Sequence, residues 1–393
     1  MSESMKKSFS SEMQNLDAAG LLRSETAVVQ SGNMEVRYGG DKCSLNFIGN
    51  DLLGWSSNKK IREAAQEALS HYGTGSTSSR VSIGTLDIFM TLEEKLSKYL
   101  GIDDCIVFPS NYLANIGLFE PLTNERDTIF FDEKCNPGLF DGTRLSEARV
   151  VSYKHKDNEN LEYHLKCSQS SRFRIVVTDG VFNSSGDCAN LSHIQQLTEV
   201  YDAITVVDDG LGVGILGKNG RGTFSHLGLE KKAELITGTF AYALGNVSGG
   251  FVGGDKELVK WLRHTSRSYI LSEPISPINA VIVSKVIDVL EEDQSAIERL
   301  YSNSTYAKTK MIKKAWKPIH NNYPFVSINV GSTLNAQKMV EYLFEKDILV
   351  SGLCYPNTPE GASLLRFNIS ANHTEEQIDT LVDSVDEAFS CLE

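Results

Sequence analysis

The residues able to do chemistry fall in a few short blocks. Asp208 and Asp209 close the apolar run Ile204–Val207. Asp208 reads either as a strand-end carboxylate capping a loop or as a group that holds a ligand. Cys135 follows Asp132-Glu133 and reads as a buried, inert thiol or as a nucleophile. Tyr242 lies within Thr237–Gly250, TGTFAYALGNVSGG. Its phenol forms no imine, and with an unperturbed pKa of about 10 it is a poor base at neutral pH. It reads as a packed aromatic or as a catalytic acid. Arg366 reads as a structural ion-pair residue or as a clamp for a carboxylate. The glycines of Gly73–Gly84 and Gly249-Gly250 read as backbone requirements. No nucleophile–base pair is identifiable from these residues alone.

The elements that must position them alternate. Lys59–Tyr72 places Ile61, Ala64, Ala65, Ala68 and Leu69 on one helical stripe. Cys105–Phe108 is a short apolar strand, followed by a Ser110-Asn111 turn and a helix. Thr128–Phe131, Val150–Ser152, Arg174–Thr178, Ile204–Val207 and Glu234–Thr237 are further apolar runs with helical pattern between most of them. Strands this apolar, interleaved with helices, predict an α/β fold with a mostly parallel sheet covered on both faces. From about Pro277 the pattern changes. A long helix over Ile278–Leu300 leads to Phe325–Ile328, a helix through Met339–Phe344, strands at Ile348–Ser351 and Leu365–Ile369, and a last helix announced by the capping box Thr374-x-x-Gln377. The expected domains are an arm over 1–45, a large α/β domain over 46–280 and a small α+β domain over 281–393.

The 393 residues are long enough for two coupled domains. The balance of 41% hydrophobic and 23% charged residues excludes a disordered or fibrous chain. A net charge of −13 disfavours nucleic acid and anionic membrane as partners. Seven cysteines (Cys43, Cys105, Cys135, Cys167, Cys188, Cys354 and Cys391) contain no CxxC pair. They read as reduced thiols of a cytoplasmic protein, with no disulfide framework and no metal site. No stretch reaches the roughly 18 apolar residues of a membrane span, and no secretory signal is recognised at the N-terminus.

Six blocks taken in order carry a resemblance. They are Gly73–Arg80 (GTGSTSSR) with Gly84-Thr85, Phe108–Asn115 (FPSNYLAN), Asp132-Glu133, Thr178–Asp187 (TDGVFNSSGD), Val206–Gly222 (VVDDGLGVGILGKNGRG) and Thr237–Gly250. Together with Pro359–Gly361, Leu365-Arg366 and His373-Thr374, they resemble the α-oxoamine synthases over residues 45 to 390. That family has fold type I of the pyridoxal-phosphate (PLP) enzymes, an aminotransferase-like fold with a seven-stranded large-domain sheet. The resemblance implies a dimer and an acyl-CoA or acyl-carrier thioester as substrate. It also implies a lysine bound to PLP, an aspartate on the pyridine nitrogen, a histidine stacked on the ring, and an arginine for the substrate carboxylate. The aspartate falls on Asp208, the phosphate-side threonine on Thr239 and the arginine on Arg366. Asn50 and Arg80 join Arg366 as candidate substrate-binding residues. Tyr112 is kept, and the glycine before it is Asn111.

Five positions depart from the family. The lysine of T-[FL]-S-K-A-[LF]-G is Tyr242, after Ala241. The stacking histidine is Asn136, and a second histidine is Leu211. A serine becomes Asn183, and the partner-chain phosphate hydroxyl becomes Glu273. Lys134 and Lys218 read as solvent-facing loop residues. With the scaffold intact and these five changes around one ring, the sequence predicts loss of lysine–PLP chemistry and no cofactor. The expected protein is a repurposed homodimer that binds an acyl thioester or another small molecule. Tyr242, Asp208, Asp209 and Cys135 are its candidate catalytic residues. The alternatives are an inactive subunit paired as a heterodimer with a lysine-bearing homologue, and an active condensing transferase with a non-standard site.

Overall fold

The computed structural model describes residues 1–18, 22, 25, 27–32, 34–38, 42–321, 323–355 and 358–390. Cys391 lies outside the described residues. After the helix Glu3–Ala18 come three strands, β1 (Val28–Gly32), β2 (Glu35–Tyr38) and β3 (Lys42–Asn46). The next seven strands are β4 (Asp104–Phe108), β5 (Thr128–Asp132), β6 (Arg149–Tyr153), β7 (Arg174–Asp179), β8 (Ile204–Asp208), β9 (Leu235–Thr239) and β10 (Gly250–Gly254). They form one sheet in the order β4-β10-β9-β8-β7-β5-β6. Strand β10 runs antiparallel to both neighbours, and the other pairs are parallel. This is the mostly parallel sheet of a fold type I, aminotransferase-like α/β protein. Alternate residues explain why its strands read as continuous apolar runs. Phe130, Val176, Val207 and Ile236 fill one core, while Ile129, Ile175, Val177 and Val206 fill the core on the opposite face.

The C-terminal region holds β11 (Val326–Gly331), β12 (Ile348–Leu349), β13 (Ser351–Leu353) and β14 (Ser363–Phe367). Strands β11, β14 and β13 make a separate antiparallel sheet. The expected single strand at Ile348–Ser351 is split. Its first half, β12, pairs in parallel with β3 of the arm, and Phe47 packs into the C-terminal core. The expected helix Ile278–Leu300 is also two helices, Pro277–Glu292 and Ser295–Lys313. Asp293 stops the first in an extended conformation, and its carboxylate accepts from Ser295 N (2.8 Å) and Ser295 Oγ (2.9 Å). A side chain that satisfies the next backbone donors this way competes with helix continuation. The capping box forms as read, with Gln377 N donating to Thr374 Oγ1 (3.2 Å) and Thr374 N donating to Gln377 Oε1 (3.1 Å).

Among the described residues no helix is long and apolar enough to cross a membrane, and no cluster of three or more His, Cys, Asp or Glu could hold a metal.

Candidate active site

The site lies at the carboxyl ends of the parallel strands, where a doubly wound sheet leaves a crevice. Asp208 ends β8 and is buried. Three amides converge on its Oδ2. Asn111 Nδ2 donates at 3.1 Å, Asn115 Nδ2 at 2.8 Å and Asn136 Nδ2 at 3.0 Å. Gly210 N donates to Oδ1 at 2.9 Å. Burial raises the Asp208 carboxyl, and these donors oppose it.

Each amide is placed by a helix start. Asn111 and Asn115 are four apart on the helix Asn111–Leu122, so both point from one face. Ser110 fixes that helix by accepting from Leu113 N at 3.1 Å. Asn136 caps the helix Pro137–Arg144 with its Oδ1 on Gly138 N (2.8 Å), which leaves its Nδ2 for Asp208.

Around this group is an inner cavity of about 50 Å³, lined by Asp179, Leu211, Thr239 and Tyr242 as well as Asp208 and Asn136. None of the described residues lining it is a lysine. Asn136, Asp179 and Asn183 also line a cleft of about 800 Å³, which Arg366 reaches from β14. The inner cavity alone has room for only a few waters. With the outer cleft it reaches the size of a small-molecule site.

Tyr242 is half-buried. Burial raises its phenol, Arg366 opposes that, and Asp208 reinforces it. The group is therefore protonated at neutral pH. Arg366 is buried and has no carboxylate partner among the described residues. Its Nη1 donates to Asn183 Oδ1 (2.9 Å), its Nη2 to the carbonyls of Asn183 and Ser184, and its guanidinium lies over the Phe325 ring at 4.1 Å. Burial lowers it to about 10. Its Nε is buried without a partner, as are Tyr323 Oη, Asn111 Oδ1 and Asn115 Oδ1. Thr239 is buried beside the cavity, with Oγ1 accepting from Ala241 N at 3.1 Å.

Several expected site residues sit elsewhere. Arg80 is not available to a substrate: its Nη2 binds Glu93 Oε1 at 2.9 Å, and its guanidinium packs on the Phe89 and Tyr269 rings. Asp209 points away from the cavity. It accepts from Thr223 Oγ1 (2.5 Å) and Thr223 N (2.8 Å) under the glycine-rich turn, where burial raises it to about 7. At Gly212 a Cβ would lie 2.0 Å from Asp209 Oδ1, so that glycine makes room for the carboxylate. Tyr112 is exposed and donates to Asp141 at 3.0 Å. Asn50 and Glu273 are exposed, and neither lines the inner cavity or the cleft. Lys134 is exposed, yet it lines the outer cleft; Lys218 does not.

Cys135 lines the outer cleft, and the structure fits its reading as an inert thiol better than its reading as a nucleophile. It is buried, donates to Val177 O at 3.6 Å, and burial, then Asp179 and Asp132, push its thiol well up. A thiol is a poor nucleophile until deprotonated. In the native protein at pH 8, iodoacetamide is expected to label exposed Cys167 and leave Cys135 unmodified; peptide mass spectrometry measures both. Labelling of Cys135 at the rate of Cys167 would return it to the candidates.

The sequence reading missed Asn115, Asp179 and His155. His155 Nδ1 lies 3.0 Å from Asp132 Oδ1, and its Nε2 lies 3.5 Å from Asp187 Oδ2. Burial lowers its pKa, but hydrogen bonds to Asp132 and Asp187 outweigh that and raise it to about 9. The stability it contributes is fully present below its ordinary pKa of about 6.5 and is lost as pH rises through about 9. His155→Gln is expected to cost about 2 kcal/mol at pH 7, the scale of hydrogen bonds to charged groups. It should also flatten the fall in stability between pH 7 and 9, as measured by urea unfolding.

The model of the family Aminotransferase class I and II matches residues 44–385, and the chain belongs to that family. Its relatives place it with the α-oxoamine synthases. It is 33% identical over 381 residues to the serine palmitoyltransferase of Sphingobacterium spiritivorum, covering 97% of this chain and 95% of that one. It is 32% identical over 375 residues to the 2-amino-3-ketobutyrate coenzyme A ligase of Escherichia coli (strain K12), covering 95% and 94%. A solved serine palmitoyltransferase from S. paucimobilis with a bound PLP–myriocin aldimine superimposes with a TM-score of 0.90 at 25% identity, covering 99% of this chain and 98% of that one. Another, with the PLP internal aldimine, gives 0.91 at 25% identity and the same coverage. The expectation of no cofactor is overturned by these findings, since the family's structures that match nearly the whole chain carry PLP.

Proposed function

We propose that this chain is an α-oxoamine synthase-fold homodimer that binds an acyl thioester in the cleft beside Arg366 and has lost the lysine chemistry of its relatives at residue 242. The observation that carries this reading is Tyr242. It lines the inner cavity with Asp208 and Thr239, and no described residue lining that cavity is a lysine. The thioester is suggested by the name of the coenzyme A ligase among the relatives.

The residues present fit PLP at its polar ends. Asp208 would accept from a ring nitrogen in place of one of its four donors, Thr239 is the residue the resemblance assigns to the phosphate, and the unpartnered Asn111 Oδ1 and Arg366 Nε leave capacity for a polar ligand. When bound, PLP supplies an electron sink for charge developing beside an amine. The chain's own residues divide the remaining work. Arg366 binds a carboxylate, with Asn183 and Ser184 fixing its fork. The Tyr242 phenol donates a hydrogen bond but does not accept a proton at pH 7. The amides on Asp208 favour its charged form against the burial that raises it.

The test supplies the purified protein with PLP, an amino acid (glycine, L-serine or L-alanine) and acetyl-CoA or palmitoyl-CoA, and follows free thiol. The expected result is saturable acyl-CoA binding by calorimetry with no release of coenzyme A above the buffer rate. Release that depends on the amino acid overturns the loss of lysine chemistry. Native mass spectrometry is expected to give two copies of the 43.4 kDa chain.

A further inference from the structure

Asp179 ends β7 as Asp208 ends β8, and the two are in-register neighbours on adjacent parallel strands. Paired residues on such strands leave the same face of the sheet about 4.8 Å apart. Both line the inner cavity and both are only 4% exposed. Two carboxyl groups this close, away from water, do not both ionise cheaply, and their surroundings decide which one holds the charge. Asp208 has four donors: three amides and Gly210 N. Asp179 has one, Asn136 N, at 3.0 Å from Oδ1. The difference in donors favours the anion on Asp208 and the proton on Asp179.

We propose that Asp179 is the hydrogen-bond donor of this cavity, a carboxylic acid beside a carboxylate, and that it takes an oxyanion or carbonyl oxygen of the bound ligand.

The groups facing it agree. Burial, then the Asp208 charge, push the Asp179 carboxyl well above the usual carboxylate range, and Asp132 and Asp209 add to that. Asp132 is already engaged by His155, and Asp209 by Thr223. Cys135 and Tyr153, which also sense Asp179, are uncharged and bring no cation to it. Tyr242, across the inner cavity, is a protonated phenol. Arg366 and Lys134 line the outer cleft with Asp179, and no ion pair joins either of them to it.

The choice of probe rests on the reading of the pocket as a PLP-type site; the proton on Asp179 does not. Two measurements keep these apart. The first is the infrared difference between the ligand-free protein and Asp179→Asn at pH 7. The expected result is a carbonyl-stretch band of a protonated carboxylic acid that disappears in the variant, and that in the parent fades only well above the ordinary carboxyl range. Loss of a carboxylate band alone would overturn the proposal. The second is PLP affinity by equilibrium dialysis across pH. Asp179→Asn, whose amide still donates, is expected to bind within about threefold of the parent, and Asp179→Val about tenfold more weakly, the scale of one hydrogen bond to a charged group. Parent affinity should fall with the infrared band as pH rises, while the Asn variant stays flat. A purely structural role would weaken both variants without that split in pH dependence, and this outcome also overturns the proposal. If PLP fails to bind the parent, the reading of the pocket falls while the infrared result still decides Asp179.

Discussion

Glu93→Ala is expected to be strongly destabilising, costing about 3–5 kcal/mol of stability. This is the range seen when one partner of a buried ion pair is removed. Glu93 lies on the helix Asp87–Leu100 and is buried. Its Oε1 accepts from Arg80 Nη2 at 2.9 Å and from Val107 N at 3.1 Å, and its Oε2 accepts from Arg263 Nη1 at 2.9 Å. One carboxylate thus ties the glycine-rich loop, the edge of the large sheet and the helix Lys256–Thr265 together. The Arg80 side chain is only 4% exposed, so removing Glu93 leaves a poorly solvated cation without its partner. The loss is expected to appear as a lower denaturation midpoint in urea. Arg80→Met combined with Glu93→Ala should restore part of it, because the stranded charge goes too. If the double substitution is as damaging as the sum of the two singles, uncompensated charge is not the cause. The same geometry explains why Arg80 fails as a substrate ligand: its charge is already spent inside the protein.

The Arg80 result marks where sequence reading stopped. An arginine in a glycine-rich block looks the same whether it meets a ligand or a buried glutamate thirteen residues on. The sheet, by contrast, was legible, because strands buried on both faces leave continuous apolar runs such as Ile204–Val207. Asp208 was legible as the end of such a run. The residues that set its charge were only partly so. The spacing of Asn111 and Asn115 already puts both amides on one helical face, and that signal was present in FPSNYLAN. Asn136 reaches Asp208 from a different helix start, and Asp179 becomes its neighbour only through strand register. Neither relation is local, so neither could be read from spacing. His155 was invisible for the same reason, since its two carboxylates, Asp132 and Asp187, lie on either side of it in the chain. The split of Ile348–Ser351 likewise follows from a partner, β3, some 300 residues earlier.

Tyr242→Lys is expected to convert the pocket from one with no attachment point at residue 242 to one that PLP labels there nearly completely. Tyr242 lines the inner cavity with Asp208, the group suited to a ring nitrogen, and it also feels Arg366, the group suited to a carboxylate. A lysine has comparable reach; half-burial and Arg366 favour its neutral, nucleophilic form, and the Asp208 carboxylate opposes them. Incubation with PLP, borohydride reduction and peptide mapping should place a pyridoxyl group on residue 242 of the variant. The parent peptide carries no amine side chain at 242 and should stay unlabelled at that position. Coenzyme A release from an amino acid and acyl-CoA is nevertheless expected to remain far below that of a condensing enzyme. On the proposed reading, Asn136 and Leu211 take the places of two histidines of the family, and neither side chain moves a proton at neutral pH. Full activity from this single change would mean that Asn136 and Leu211 cost little and that Tyr242 alone separates the chain from its relatives. Binding of PLP without label at 242 would mean that the cavity holds the ring in a different orientation, with its aldehyde turned away from this residue.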